Sequence, residues 1–259
     1  MILNKDIDPV HLDVADGVGH IRLNRPQSGN ALNLDAARLL AEVAEHIAGR
    51  DDIRSVLITG TGSAFCVGGD VAAMANATDR GEFLAELAGA AHRAIRVFAA
   101  LQLPIVSAVS GAAAGAGLAL TLVSDLVIAG RSAKFLVAYS GVGLTPDCGT
   151  SWLLPQVIGL RRAQQLALTN QALDATEALN WGLISSVVDD DQVETAGSAL
   201  ATRLATKAPT ALGQTRGLLR ASVSNTLIEH LDLEAATIAT AAASNEAGAL
   251  IDSFLNRRT

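Results

Sequence analysis

Asp147 lies in the run Gly143-Leu144-Thr145-Pro146-Asp147-Cys148-Gly149-Thr150. An acid among Leu, Pro, Cys and Gly has an apolar neighbourhood. Burial there would raise its proton affinity into the range useful for general acid–base work. A structural role competes: the residue stands just ahead of a helix around Trp152-Leu153-Leu154, and the local sequence taken alone favours an N-cap. Two glycine-rich loops are the second chemical feature. The first follows the strand Ser55-Val56-Leu57-Ile58-Thr59 and contains Ala64-Phe65-Cys66-Val67-Gly68-Gly69-Asp70. The second follows Ile105-Val106-Ser107-Ala108-Val109 and contains Gly111-Ala112-Ala113-Ala114-Gly115-Ala116-Gly117. Glycine lets a backbone turn tightly and lets a ligand approach its N–H groups. Two such loops on adjacent strands could aim two amides at one point, which is how an oxyanion hole is built. Asp70, at the end of the first loop, reads as an acid that holds the loop through backbone N–H groups. Asp125 reads as structural.

Other chemistries fit less well. Gly60-Thr61-Gly62-Ser63 follows a strand, as a dinucleotide-binding turn would. That motif needs a third Gly or Ala three residues after the second glycine, and Phe65 stands there. No GxSxG elbow occurs. The histidines at 11, 20, 46, 92 and 230 are scattered, with no HExxH or CxxC, so no metal site is expected. The two cysteines, Cys66 and Cys148, are too few for a disulfide framework and read as reduced residues of a cytoplasmic protein. The opening MILNKDIDPV has no apolar stretch or cleavage pattern and is not expected to be a signal peptide.

These loops need elements to position them. Alternation at Val10, Leu12 and Val14, a turn at Asp16-Gly17 and the run Val18–Leu23 predict a β-hairpin. Leu39, Leu40, Val43 and Ile47 predict a helix over 34–48, with Asn33 as its cap. A second helix is predicted over 82–101, a short buried one over 117–123, and a strand over 125–129. Strands alternating with helices from about 10 to 140 argue for α/β layers with parallel strands. After Thr150 the pattern turns helical, near 160–169, 175–180, 193–207, 210–221 and 226–243. The longest strand-like run there is 183–188. The expected division is an α/β core over 1–195 carrying the site and a helical region over 196–259 for packing and oligomerisation.

Composition narrows the classes. The 259 residues are 50% hydrophobic, 17% charged and 3% aromatic, so a sizeable core must be built from Ala, Leu, Val and Ile. The net charge of −7 argues against a nucleic-acid partner. Residues 105–123 are uncharged and carry Gly111 and Gly115 at GxxxG spacing. Gly, Ala and Ser dominate that stretch, and Pro104 and Asp125 bracket it without a basic flank, so no membrane span is expected.

The motifs taken together resemble the crotonase superfamily, the enoyl-CoA hydratase/isomerase family. Leu23-Asn24-Arg25-Pro26 followed by Asn30-Ala31-Leu32 is similar to its opening LNRPxxxNAL. Ala64 to Val71 resembles its AFCAGGDL loop, Ser110 to Leu120 its second loop, and Ala133-Lys134-Phe135 its AKF. Ala175 to Ile184 resembles A-x-EAL-x-x-GLV. The resemblance implies a spiral of stacked β-β-α turns with a C-terminal helical region used in trimers or dimers of trimers. It implies an acyl-CoA thioester substrate, with coenzyme A as part of that substrate and no separate cofactor. Two backbone amides would hold the thioester carbonyl, and the alignment puts them at Val67 and Ala116. Around them the resemblance places Arg25, Ala64, Cys66, Gly68, Gly69, Asp70, Gly115, Ala119, Tyr139 and Leu144 as substrate-binding candidates.

The departures are informative. Family hydratases set two glutamates across the double bond, and here those positions fall on Ala119 and Tyr139, neither of which is a carboxylate base. Asp147 falls where some family isomerases carry a catalytic aspartate, in a segment resembling GLxPDxGxxxLLP. The implied activity is a shift of an enoyl-CoA double bond with Asp147 as proton carrier. Atypical hydration and a non-catalytic acyl-CoA-binding paralogue are the alternatives.

Overall fold

The structure is a computed structural model that describes residues 8–256. Residues 1–7, which carry most of the segment read as no signal peptide, lie outside the described residues. β1 (Val10–Ala15) and β2 (Val18–Leu23) form the predicted antiparallel hairpin. Its turn residues Asp16 and Gly17 both have positive φ, 52° and 77°, the geometry that matches the twist of paired strands.

α1 (Leu34–Ala48) begins where expected: the Asn33 side chain accepts the Ala36 N–H at 2.9 Å. Its buried stripe includes Leu40, Val43 and Ile47. β3 (Ser55–Gly60) is followed by the first loop, then by α2 (Val71–Asn76) and α3 (Arg80–Ala100). β4 (Ile105–Val109), β5 (Ala112–Ala114) and α4 (Ala116–Val123) come next. Then follow β6 (Leu126–Gly130), β7 (Lys134–Leu136), α5 (Thr150–Ile158), α6 (Leu160–Thr169), β8 (Leu173–Asp174), α7 (Ala175–Trp181) and β9 (Ser186–Val188). The last described elements are α8 (Val193–Ala205), α9 (Pro209–Ala221), α10 (Leu227–Ala242) and α11 (Asn245–Asn256).

Six strands form one sheet in the order β1-β2-β3-β4-β6-β9, parallel from β2 onward. β3 and β4 run through its middle, and their near-continuous apolar residues fit strands covered on both faces. A second sheet, in the order β5-β7-β8, pairs β5 with β7 in parallel and β7 with β8 antiparallel. The fold is the expected α/β crotonase-like spiral, in which β5 falls between β4 and β6 in the sequence, and β7 and β8 between β6 and β9.

Three local expectations shift. The second glycine loop is not loop throughout, because Ala112–Ala114 pairs with β7. The strand expected over 183–188 shortens to Ser186–Val188, since Leu183 and Ile184 turn into the core after the left-handed Gly182 ends α7. α8 straddles residue 195 and packs Val193, Ala201 and Ala205 against Leu57, Val106 and Ala108 of the sheet. Further along, α9 is pinned by the buried Arg216, which pairs with Asp125 at 2.7 Å and donates to the carbonyls of Phe98 and Leu101. Among the described residues, no helix is long and apolar enough to cross a membrane.

Candidate active site

The two glycine loops meet backbone to backbone. Cys66 N–H donates to Ala112 O at 3.1 Å, and Ala114 N–H returns to Cys66 O at 2.9 Å. Contact this close leaves no room for side chains. A Cβ on Gly115 would lie 3.3 Å from Gly68 Cα, and one on Gly117 would lie 2.1 Å from Cys66 O. Gly68 and Gly115 also hold positive φ, 105° and 52°, which glycine adopts without strain.

Accounting for the amides corrects one expectation. The Val67 N–H donates to Gly29 O at 3.0 Å, so it is spent inside the loop and is not available to a thioester. Gly68 O accepts the Leu32 N–H at 2.7 Å. The 68–69 peptide is trans, so its N–H, on Gly69, points the opposite way from that carbonyl. Among the described residues the Gly69 N–H makes no hydrogen bond, and Gly69 lines the cavity beneath the loops. Ala116 opens α4, so its N–H belongs to the unpaired first turn, where the helix dipole adds partial positive charge. The Gly68 N–H likewise makes no hydrogen bond among the described residues, so the free loop amides at the cavity are those of Gly68, Gly69 and Ala116, and Val67 contributes its side chain.

The cavity holds about 340 Å³. Val71 and Met74 of α2 and Leu84, Leu87, Ala88 and Ala91 of α3 give it an apolar wall. Gly68, Gly115, Tyr139, Leu144 and Asp147 also line it. Arg25, Ala64, Cys66, Asp70 and Ala119 do not. Cys66 and Ala119 are fully buried, and Ala119 lies too deep in α4 to meet a ligand. The Arg25 guanidinium pairs with Asp70 at 2.9 Å and donates to Ala31 O. Asp70 caps α2 by accepting the Ala73 N–H at 3.1 Å. Burial pushes its carboxyl up, but the Ala73 hydrogen bond and the Arg25 guanidinium outweigh that and hold it below its ordinary range. This pair holds the loop rather than offering a free cation.

Asp147 is the acid of this cavity. The N-cap role favoured by local sequence fails: the cap of α5 is the left-handed Gly149, with φ 78° and no side-chain capping bond. The Asp147 backbone carbonyl serves the helix instead, accepting Thr150 N–H at 2.9 Å. Its carboxylate Oδ1 accepts the Tyr139 hydroxyl. Burial first, and the Asp147 charge second, push the Tyr139 phenol far up, so it stays protonated and donates. Burial and Asp147 likewise push the Cys148 thiol up.

Two residues take roles that sequence reasoning missed: Asn30 enters it only as part of the opening motif, and His92 carries no signal. Asn30, with φ 57°, ties the first loop together: its Nδ2 donates to Thr61 O and Ala64 O, and its Oδ1 accepts Arg25 N–H. His92 of α3 reaches across to accept the Cys148 N–H on Nε2 at 3.0 Å. Ligand atoms of His92, Asp147 and Cys148 lie within 4.8 Å of one another. As a cation site the donor set fits poorly, because the Nε2 lone pair is already engaged and the thiol holds its proton.

Residues 13–259 match the family model described as enoyl-CoA hydratase/isomerase. The protein is 41% identical over 226 residues to the 1,2-epoxyphenylacetyl-CoA isomerase of Escherichia coli K12, covering 85% of each. It is 33% identical over 202 residues to the trans-2-decenoyl-[acyl-carrier-protein] isomerase of Streptococcus mutans, covering 77% of this protein and 76% of that one. The crystal structure of an enoyl-CoA hydratase from Polaromonas sp. JS666 superposes with a TM-score of 0.91 at 30% identity, over 96% of this protein and 97% of that one. With the fold, the paired loops and these likenesses in hand, the protein belongs to the enoyl-CoA hydratase/isomerase family of the crotonase superfamily.

Proposed function

We infer that this protein moves a double bond in an acyl-CoA thioester, converting a 3-enoyl-CoA to the 2-enoyl-CoA. The observation that carries the reading is that Asp147 is, among the described residues, the sole carboxylate lining the cavity that the free loop amides also line. The thioester oxygen sits between the N–H groups of Gly69 and Ala116. There the negative charge that develops on it is stabilised, an effect worth ~10²–10³ in rate per donor in comparable sites. The α-proton at C2 becomes acidic, and Asp147 takes it. The electron pair spreads to a dienolate held by the two amides, and Asp147 returns the proton at C4. Nothing is oxidised and no water is added, so the reaction as written consumes no redox cofactor or metal. Hydration asks for a second acid–base group, and the positions available for it hold a buried Ala119 and the proton-retaining Tyr139. Two relatives whose names are isomerases support the same direction.

The test is turnover on matched panels of 2-enoyl- and 3-enoyl-CoA thioesters. Double-bond migration without net hydration is expected. With one carboxylate carrying the proton on one face, deuterium placed at C2 should appear in part at C4. Hydration of 2-enoyl substrates as the faster reaction would replace this reading with an atypical hydratase. Tight binding with no turnover would replace it with an acyl-CoA-binding protein.

A further inference from the structure

We propose that His92 is a positioning residue for the Asp147 base, acting through the peptide bond that joins Asp147 to Cys148. This deepens the isomerase reading and rests on it.

The peptide plane between residues 147 and 148 is held at both ends. Its C=O accepts the Thr150 N–H at 2.9 Å, and its N–H donates to His92 Nε2 at 3.0 Å. A backbone N–H can only donate, so His92 Nε2 must carry a lone pair. The hydrogen bond therefore calls for the tautomer with its proton on Nδ1. The clamp acts where the backbone is least at ease. Cys148 has φ 50°, a left-handed conformation uncommon for a residue with a side chain, and Gly149 follows at 78°. Such geometry persists only where the surroundings hold it.

His92 does not line the cavity. It stands on α3, one residue after Ala91, which does. One helix thus supplies part of the acyl wall and fixes the base opposite. With the backbone held by His92 and the carboxylate held by Tyr139, Asp147 has little freedom left. Loss of the His92 acceptor would leave a buried N–H unpaired and free the plane to rotate. A misplacement of the order of 1 Å at a reacting group can cost ~10²-fold in rate.

The experiment compares wild type, His92→Gln and His92→Phe. Glutamine can bring an amide oxygen close to the Nε2 position, whereas phenylalanine fills the space without an acceptor. We expect His92→Phe to lower kcat at least ~10-fold with KM within about twofold, and His92→Gln to keep kcat within about threefold. The imidazole ¹⁵N spectrum of wild type should show an unprotonated Nε2. Should His92→Phe not fold, His92→Asn, too short to reach Cys148, takes its place with the same expectation. Equal kcat in all variants, equal loss in Gln and Phe, or a protonated Nε2 would each overturn the assignment. A wild type inert on every thioester would defeat the isomerase reading instead. The ¹⁵N spectrum and the Asp147 carboxyl ¹³C shift, moved in Phe and not in Gln, would then still decide the role of His92.

Discussion

The Tyr139 hydroxyl donates to Oδ1 of Asp147, so the two residues form a fixed donor–acceptor pair at the cavity wall. Burial keeps the phenol protonated, and the pair orients a carboxylate without adding a second base. Asp147→Asn preserves size and still accepts from Tyr139, but it cannot take a proton near neutral pH. Isomerase turnover should fall at least ~10², while acyl-CoA affinity measured by calorimetry should change little. Exchange of the α-protons of a saturated acyl-CoA with deuterated water should cease with it. Unchanged turnover in this variant would remove Asp147 from the mechanism.

Two glycine substitutions separate backbone packing from pocket shape. Gly117→Ala drives its Cβ to 2.1 Å from Cys66 O, a backbone atom that cannot step aside. The folded yield or melting temperature should collapse, with a cost of several kcal/mol. In Gly69→Ala the Cβ meets the end of the Met74 side chain at 2.4 Å, which is free to swing away. That variant should fold, keep its amide, and shift preference toward different acyl groups.

Asp70→Ala removes the α2 cap and leaves the Arg25 guanidinium without its partner. A loss of about 1–2 kcal/mol in urea unfolding is expected. Because α2 carries Val71 and Met74 into the cavity, KM should rise more than kcat falls.

Burial, and then the neighbouring Arg22 charge, push His20 from 6.5 down to about 4. Its Nε2 lies 2.8 Å from Thr59 Oγ1, and Arg22 sits 3.2 Å from Nδ1, so the ring is held neutral. Below about pH 6.5 the unfolded state takes up a proton that the folded protein refuses. Stability should therefore be flat above that value and fall as pH drops toward 4, by on the order of 2 kcal/mol for a partly exposed group. His20→Gln should flatten this fall, as measured by urea midpoints at pH 8 and pH 5.

α10 and α11 leave Leu227, Ile228, Ile238, Leu250, Ile251 and Phe254 exposed. Apolar surface on this scale is expected to be covered by neighbouring subunits. Light scattering at micromolar concentration should report a trimer or a dimer of trimers, and a monomer would contradict the expectation.

Much of this was legible in the sequence, where a local signal matched a local structure. Asn33 capped its helix, the Asp16-Gly17 turn made its hairpin, and the apolar runs at 55–59 and 105–109 became central strands. What stayed hidden depended on contacts between residues far apart in the sequence. The hydrogen bond from Val67 to Gly29, which occupies the Val67 amide, spans 38 residues and leaves no local pattern. The pairing of His92 with Cys148 spans 56. The Ala112–Ala114 strand has neither the length nor the β-branched residues that announce one. At Asp147 the nearby helix start suggested a cap, and the left-handed Gly149 filled that place instead.

The loops that carry the cavity amides are joined to each other by backbone hydrogen bonds, Cys66 to Ala112 and Ala114 to Cys66. Their geometry is thus insulated from most mutational drift in the surrounding wall. Residues of α2 and α3 can be exchanged to admit a different acyl group, and the carboxylates can be gained or lost, while the charge-stabilising point stays where it was. A lineage built on this arrangement can change its substrate and its chemistry in separate steps, without dismantling the one part that both require.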